Sequence, residues 1–252
     1  MKSFFESYPY SAVGLAEIFL IVLMIKWVKK EQRLPMVLSG ILFLPFGFSE
    51  IGFIPEYWNP NYIFSFIIGP EDVLFGFANG CLVWFLATQT LRGNVRLSIQ
   101  PSLLIRRYLI SSVGGFTVGA TCFLLDFKMM SSVLMATLAV GVTILIFYRK
   151  LWRLALSGLL GYSLFHTLIS KIAFIFNPTF LLQWNTSSFW GRTFLGFPIG
   201  EIAWSASFGA VWPLIMGWLF ETEIEGNMKE KPKKLSLALI VSKISSERWS
   251  RK

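Results

Sequence analysis

Gly69-Pro70-Glu71-Asp72-Val73-Leu74-Phe75-Gly76-Phe77-Ala78-Asn79-Gly80 sets two adjacent carboxyls inside a run apolar enough to lie in a membrane. An acid near the bilayer centre costs about 2.5–3.5 kcal/mol on insertion scales, so one that is kept there marks a functional site by default. A second stretch, Phe197-Pro198-Ile199-Gly200-Glu201-Ile202-Ala203-Trp204-Ser205-Ala206-Ser207-Phe208-Gly209, repeats the pattern near the far end. At one constant offset Gly69 aligns with Pro198, Asp72 with Glu201, Phe75 with Trp204, Gly76 with Ser205 and Gly80 with Gly209. The rest of the chain reads as a scaffold that brings the two stretches together.

Of the 252 residues, 54% are hydrophobic and 15% are charged, against about 25% charged in a soluble globular domain. That composition specifies an all-α integral membrane protein. The net charge of +9 sits in short clusters between apolar runs, which is the pattern of membrane topology and not of a nucleic-acid-binding face. Cys81 and Cys122 fall inside apolar spans and read as packing residues, neither a disulfide framework nor a metal cluster. The first apolar run, preceded by Lys2 and Glu6 and closed by Lys29 and Lys30, lacks the pattern of a cleavable signal and is expected to be permanent.

Runs of about 18 or more apolar residues read as spanning helices. Seven are expected, at 10–28, 35–54, 64–90, 108–125, 130–148, 154–176 and 195–219. Lys26, Lys29, Lys30 and Arg33 follow the first; Arg92, Arg96, Arg106 and Arg107 the third; Arg149, Lys150 and Arg153 the fifth. The tail adds Lys229, Lys231, Lys233, Lys234, Lys243, Arg248, Arg251 and Lys252, while the other side carries Lys2, Lys128 and Arg192. This bias places the N-terminus outside and the C-terminus in the cytoplasm of a multi-pass cell-membrane protein. Ser39-Gly40-Ile41-Leu42 resembles Ser157-Gly158-Leu159-Leu160. Residues 1–220 therefore read as one membrane domain of two parallel three-helix repeats, about 10–90 and 130–220, joined by a connector helix at 108–125. Such repeats share a site at their interface. Residues 221–252 form a basic tail, either disordered or with 235–241 lying on anionic lipid.

At helical spacing Gly69, Asp72, Gly76 and Gly80 share one face, with Pro198, Glu201, Ser205 and Gly209 as its counterpart. Each face is an acid among small residues, suited to close helix packing in lipid. The acids either build a site or only hydrogen-bond across a helix interface. Glu71 points about 100° away from Asp72. Neighbouring carboxyls in an apolar site do not readily both carry charge, so one is either a proton donor in waiting or a neutral acid with one structural hydrogen bond. Glu50, in Phe48-Ser49-Glu50-Ile51, is placed to face the same outer-half site. Glu17 either joins it or is snorkelled or helix-bonded, and Glu56 reads as an interfacial loop acid. Phe75 and Trp204 stand one turn below the matched acids, where ring faces either pack or stabilise a cation by about 2 kcal/mol when desolvated. His166 reads as packing or as part of a proton relay, and Lys171 as an ion-pair partner of an acid or as part of that relay. No nucleotide, flavin or zinc motif is present in the sequence, so no cofactor and no metal is expected.

These motifs resemble the membrane lycopene cyclase family of the heterodimeric bacterial and fused archaeal or fungal type. Its two similar three-helix halves are each marked by Pro-x-Glu-(Glu/Asp) followed by hydrophobic and aromatic residues. The resemblance covers most of residues 1–220, including Glu56-Tyr57-Trp58-Asn59-Pro60, but its specific motifs are short. The first motif keeps both acids with its proline moved by one residue; the second keeps Pro198 and Glu201 but has Gly200 in place of the first acid. The resemblance implies a non-redox isomerase that closes the end group of a linear carotenoid to a β-type ring. In that reading Glu71 is the proton donor, Asp72 and Glu201 hold the second carboxyl role, and Glu50, Phe75, Trp204 and Trp58 contact an apolar polyene or polyprenyl substrate. Two other readings stand beside it. One is a non-catalytic polyprenyl-lipid or carotenoid binder that lost activity with the acid at Gly200. The other is a proton-coupled transporter using Lys171 and His166, although the inner half lacks matching polar residues.

Overall fold

A computed structural model of the chain describes residues 4–64, 69–91 and 95–224. Arg92 and the basic tail beyond Ile224 lie outside the described residues, as does the 65–68 part of the third expected helix. A short α1 (Phe4–Ser7) leads into α2 (Pro9–Trp27), followed by α3 (Lys30–Phe43), α4 (Pro70–Thr90) and α5 (Pro101–Leu124). After these come α6 (Met129–Phe147), α7 (Trp152–Phe176) and α8 (Ile199–Leu219). Prolines stand at the start of α2, α4 and α5, where the missing N–H is no loss and the fixed φ suits the first turn. Two-residue strand pairs are minor additions. β1 (Val95–Arg96) meets β4 (Glu223–Ile224), and β2 (Thr193–Phe194) turns back on β3 (Phe197–Pro198).

Among the described residues, six segments are long and apolar enough to cross a membrane: Pro9–Trp27, Lys30–Gly52, Pro70–Thr90, Met129–Phe147, Arg149–Phe176 and Ile199–Leu219. Where the connector was expected stands α5, 24 residues long; it is not among the six, since Ser111, Ser112, Thr117, Thr121 and three glycines dilute its apolar character. Several expected boundaries move: α3 begins at Lys30 and α5 at Pro101, ahead of 35 and 108, and α8 at Ile199, after 195. The third helix begins at Pro70 and not at 64, since Ile63 and Phe64 form a bend. The second stops being α-helical at Phe43 and continues as a 3-10 segment, Leu44–Gly52. Pro45 is the cause: it has no N–H to donate, and its ring opposes a continuing α-helix.

α4 and α8 form the centre. About half of each span (56%) is buried, against 17–33% of the other four. α4 packs on α2, α3, α7 and α8, and α8 packs on α4, α5, α6 and α7. The outer helices turn large apolar side chains outward, among them Phe19, Val113, Phe116, Leu164 and Ile175, as lipid contact requires.

The closest crossings use glycine. Against α3, a Cβ at Gly80 would lie 2.6 Å from the Ser39 carbonyl oxygen, and the Ser39 hydroxyl donates to the Gly80 carbonyl at 2.6 Å. Between α7 and α8, a Cβ at Gly209 would lie 2.8 Å from the Gly158 carbonyl oxygen. Glycine here lets backbones touch, the usual source of tight packing where lipid removes the hydrophobic drive between helices.

Candidate active site

Asp72 and Glu201 are each the third residue of their helix, yet their carboxyls go to different places. The preceding residue that caps the helix decides which. Gly69 has a backbone N–H and donates it to Asp72 Oδ2 at 2.8 Å, the return arm of a capping arrangement. Its counterpart Pro198 has no N–H to give, so the Glu201 carboxyl is free to project into the interior.

Asp72 is completed by two hydroxyls, Tyr10 and Tyr62, each donating to Oδ1 at 3.1 Å. Glu71 Oε1 accepts from the Ser11 hydroxyl at 3.2 Å and from the Ile63 N–H at 2.8 Å. This adjacent pair therefore fastens the start of α4 to α2 and to the preceding loop. Neither residue lines the cavity that Glu201 borders.

That cavity, of about 70 Å³, lies where α2, α4, α6 and α8 begin and α7 nears its end. Glu17, Glu50, His166 and Glu201 bring polar groups to it, and Tyr10, Tyr57, Trp58, Phe75, Trp184 and Trp204 supply aromatic wall. Of the residues singled out in the sequence, the fold thus gathers Glu50, Glu201, Phe75, Trp204 and Trp58 around one space, and leaves Glu71 and Asp72 behind it. Phe75 and Trp204 face one another with centroids 6.0 Å apart and planes 24° from parallel. Tyr10, held by Asp72, leans on both Phe75 and Trp58.

Glu50 reaches the cavity because the 3-10 segment carries it there, and the Trp58 indole donates to its Oε2 at 2.9 Å. Glu201 has three partners. Tyr57 donates to Oε1 at 2.8 Å and the Trp184 indole at 3.1 Å, while His166 Nε2 lies 2.9 Å from Oε2. A carboxylate with four acceptor sites suits such convergence. Burial, and then the adjacent Glu201 carboxyl, push the Tyr57 hydroxyl well above the ordinary tyrosine range, so it stays a donor. Burial and Asp72 do the same to Tyr62.

His166 is thus an acid's partner that also packs, against Tyr162, Phe197 and Trp204. Among the described residues Lys171 pairs with none of the acids: its ammonium group donates to the Leu195 carbonyl at 2.7 Å on an exposed edge. Among the described residues no group of three His, Cys, Asp or Glu side chains is placed to hold a metal.

Trp184 was not singled out by the sequence, although its signal was there in the repeat of Trp58-Asn59 as Trp184-Asn185. The two dipeptides pair across the loops. Asn59 N–H donates to the Gln183 carbonyl at 2.7 Å, and Asn185 N–H donates to the Tyr57 carbonyl at 2.8 Å. The two indoles stand 5.5 Å apart and serve Glu50 and Glu201 respectively. Tyr57 and Met130 also border a wider groove of about 530 Å³, which reaches Trp190 and the Lys128–Glu56 ion pair at 3.0 Å.

Of the three carboxyls at the cavity, Glu50 and Glu201 come from different elements and are each held by an indole N–H, between ring faces. Comparison of the chain with protein-family models, curated proteins and solved structures finds no match.

Proposed function

We propose that the protein is a membrane isomerase of the lycopene cyclase type, closing the end group of a linear carotenoid to a β-type ring. The observation that carries this reading is the entry of Glu50 and Glu201 into one aromatic-walled cavity. Glu50, with a single indole donor, protonates the terminal carbon–carbon double bond. The neighbouring double bond attacks the resulting tertiary cation and forms the ring carbon–carbon bond. Glu201, held by Tyr57, Trp184 and His166, takes the ring proton and leaves a ring double bond. One proton enters and one leaves, so the product is an isomer, and proton exchange resets the two carboxyls. Phe75 and Trp204 stand where their ring faces stabilise the cation. Glu71 and Asp72 act through Tyr10 and the α4 start as positioning residues.

In this reading α5 is the seventh span. It joins two parallel three-helix repeats, α2–α4 and α6–α8, with the N-terminus outside and the C-terminus in the cytoplasm. The like use of Gly80 against Ser39-Gly40 and of Gly209 against Gly158 supports the repeat. The test is expression in cells that accumulate lycopene, followed by pigment analysis. Ringed carotenoids are expected; unchanged lycopene at verified membrane expression would overturn the assignment.

A further inference from the structure

Glu17, on α2, is fully buried, lines the cavity, and has no hydrogen-bond partner on either carboxyl oxygen among the described residues. His166 lines the same cavity; its Nδ1 is likewise buried without a partner among the described residues, while its Nε2 is engaged with Glu201. A buried polar group left unpaired is destabilising by about 1–3 kcal/mol, and two on residues that line one cavity point to a ligand that completes them. A hydrocarbon end group completes neither. A hydroxyl completes both kinds of group, because it donates to an imidazole nitrogen or carboxylate and accepts from a carboxylic acid.

We infer that the side of the cavity lined by Glu17 and His166 is a subsite for a hydroxyl group, so that the preferred ligand is an acyclic polyene alcohol and not the bare hydrocarbon. Glu17 is its main contact and His166 Nδ1 its second. This rests on the polyene reading for the class of ligand, while its test does not depend on ring closure. A site built to hydrogen-bond a hydroxyl discriminates strongly against the analogue that lacks it.

The experiment measures binding to the purified protein in lipid nanodiscs, by quenching of the cavity tryptophans Trp58, Trp184 and Trp204. The probes are lycopene and an acyclic C40 polyene carrying one allylic hydroxyl on a terminal methyl. The wild type is expected to bind the alcohol at least about tenfold more tightly. Glu17→Leu should erase the difference and Glu17→Gln should keep most of it, with Glu17→Met replacing the leucine variant if that one does not fold. Equal affinities in the wild type, as expected if an ordered water already completes Glu17, would overturn the proposal. So would a preference that survives Glu17→Leu. Ring closure is scored separately. A binding preference without any cyclised product keeps the subsite and rejects the cyclase reading, and cyclised product without the preference does the reverse.

Discussion

Tyr57 donates its hydroxyl to Glu201 at 2.8 Å and lays the same ring beside Gly200, where an added Cβ would stand 2.6 Å from ring carbon and hydroxyl oxygen alike. The position that lacks the expected acid is therefore occupied by a phenol. Gly200→Glu does not restore a missing group; it evicts Tyr57 from Glu201. Gly200→Ala is expected to lower stability by about 1–3 kcal/mol through overpacking and to reduce ring formation with it. Tyr57→Phe should keep the fold while reducing product. Thermal unfolding in detergent and pigment yield per folded protein check both, and a gain of cyclisation in Gly200→Glu would refute this view of the site.

Glu50→Gln and Glu201→Gln are each expected to reduce ring formation by about 10²–10⁴-fold, the usual worth of a general acid or base. Glu71→Gln should leave conversion per folded protein near wild type, because its carboxyl binds Ser11 and Ile63 away from the cavity. Glu71→Leu, which strands both donors, should lower stability by about 1–3 kcal/mol. Side-by-side pigment analysis of the four variants decides this. Loss of product in Glu71→Gln at wild-type stability returns the donor role to Glu71.

Trp58→Phe and Trp184→Phe each remove one indole N–H from a cavity carboxyl. A hydrogen bond to a charged group is worth about 1.5–3 kcal/mol. Glu50 becomes a carboxylate as it gives up its proton, so Trp58→Phe removes stabilisation that grows in the transition state and is expected to lower the rate by roughly ten- to a hundredfold. Glu201 loses charge as it takes the ring proton, so Trp184→Phe strips a donor from the ground-state carboxylate and should cost much less. A large loss in Trp184→Phe and none in Trp58→Phe would exchange the two roles.

Six of the seven expected spans were legible because they rest on local hydropathy, and helical spacing set Phe75 and Trp204 one turn from Asp72 and Glu201. The division of labour among the acids was not. A helical wheel gives Asp72 and Glu201 the same direction, but in a first turn the nearest unpaired N–H competes for the carboxyl. Gly69 supplies one and Pro198 does not. Glu50 was legible as an outer-half acid, whereas its route into the cavity depends on the change to a 3-10 segment at Leu44. The contact of Trp58 with Trp184 joins two loops distant in sequence. No periodicity reports such a pairing.

The glycine crossings yield a test of the scaffold that is independent of any chemistry. A methyl at Gly80 meets the Ser39 carbonyl oxygen at 2.6 Å and the Gly40 Cα at 2.9 Å. A methyl at Gly158 meets the Gly209 carbonyl oxygen, closer still. Backbone atoms cannot swing aside as a side-chain end can, so the helices must part. Gly80→Ala and Gly158→Ala are each expected to destabilise by about 1–3 kcal/mol, the usual range for overpacking, and to reduce ring formation by shifting the helices that carry Phe75 and Glu201. Gly114 on α5 has nothing within 4 Å of an added Cβ. Gly114→Ala should therefore gain about 0.5–1 kcal/mol from helix propensity alone. Thermal unfolding of the three variants separates the cases, and a Gly158→Ala protein as stable as wild type would show that α7 and α8 do not cross this closely.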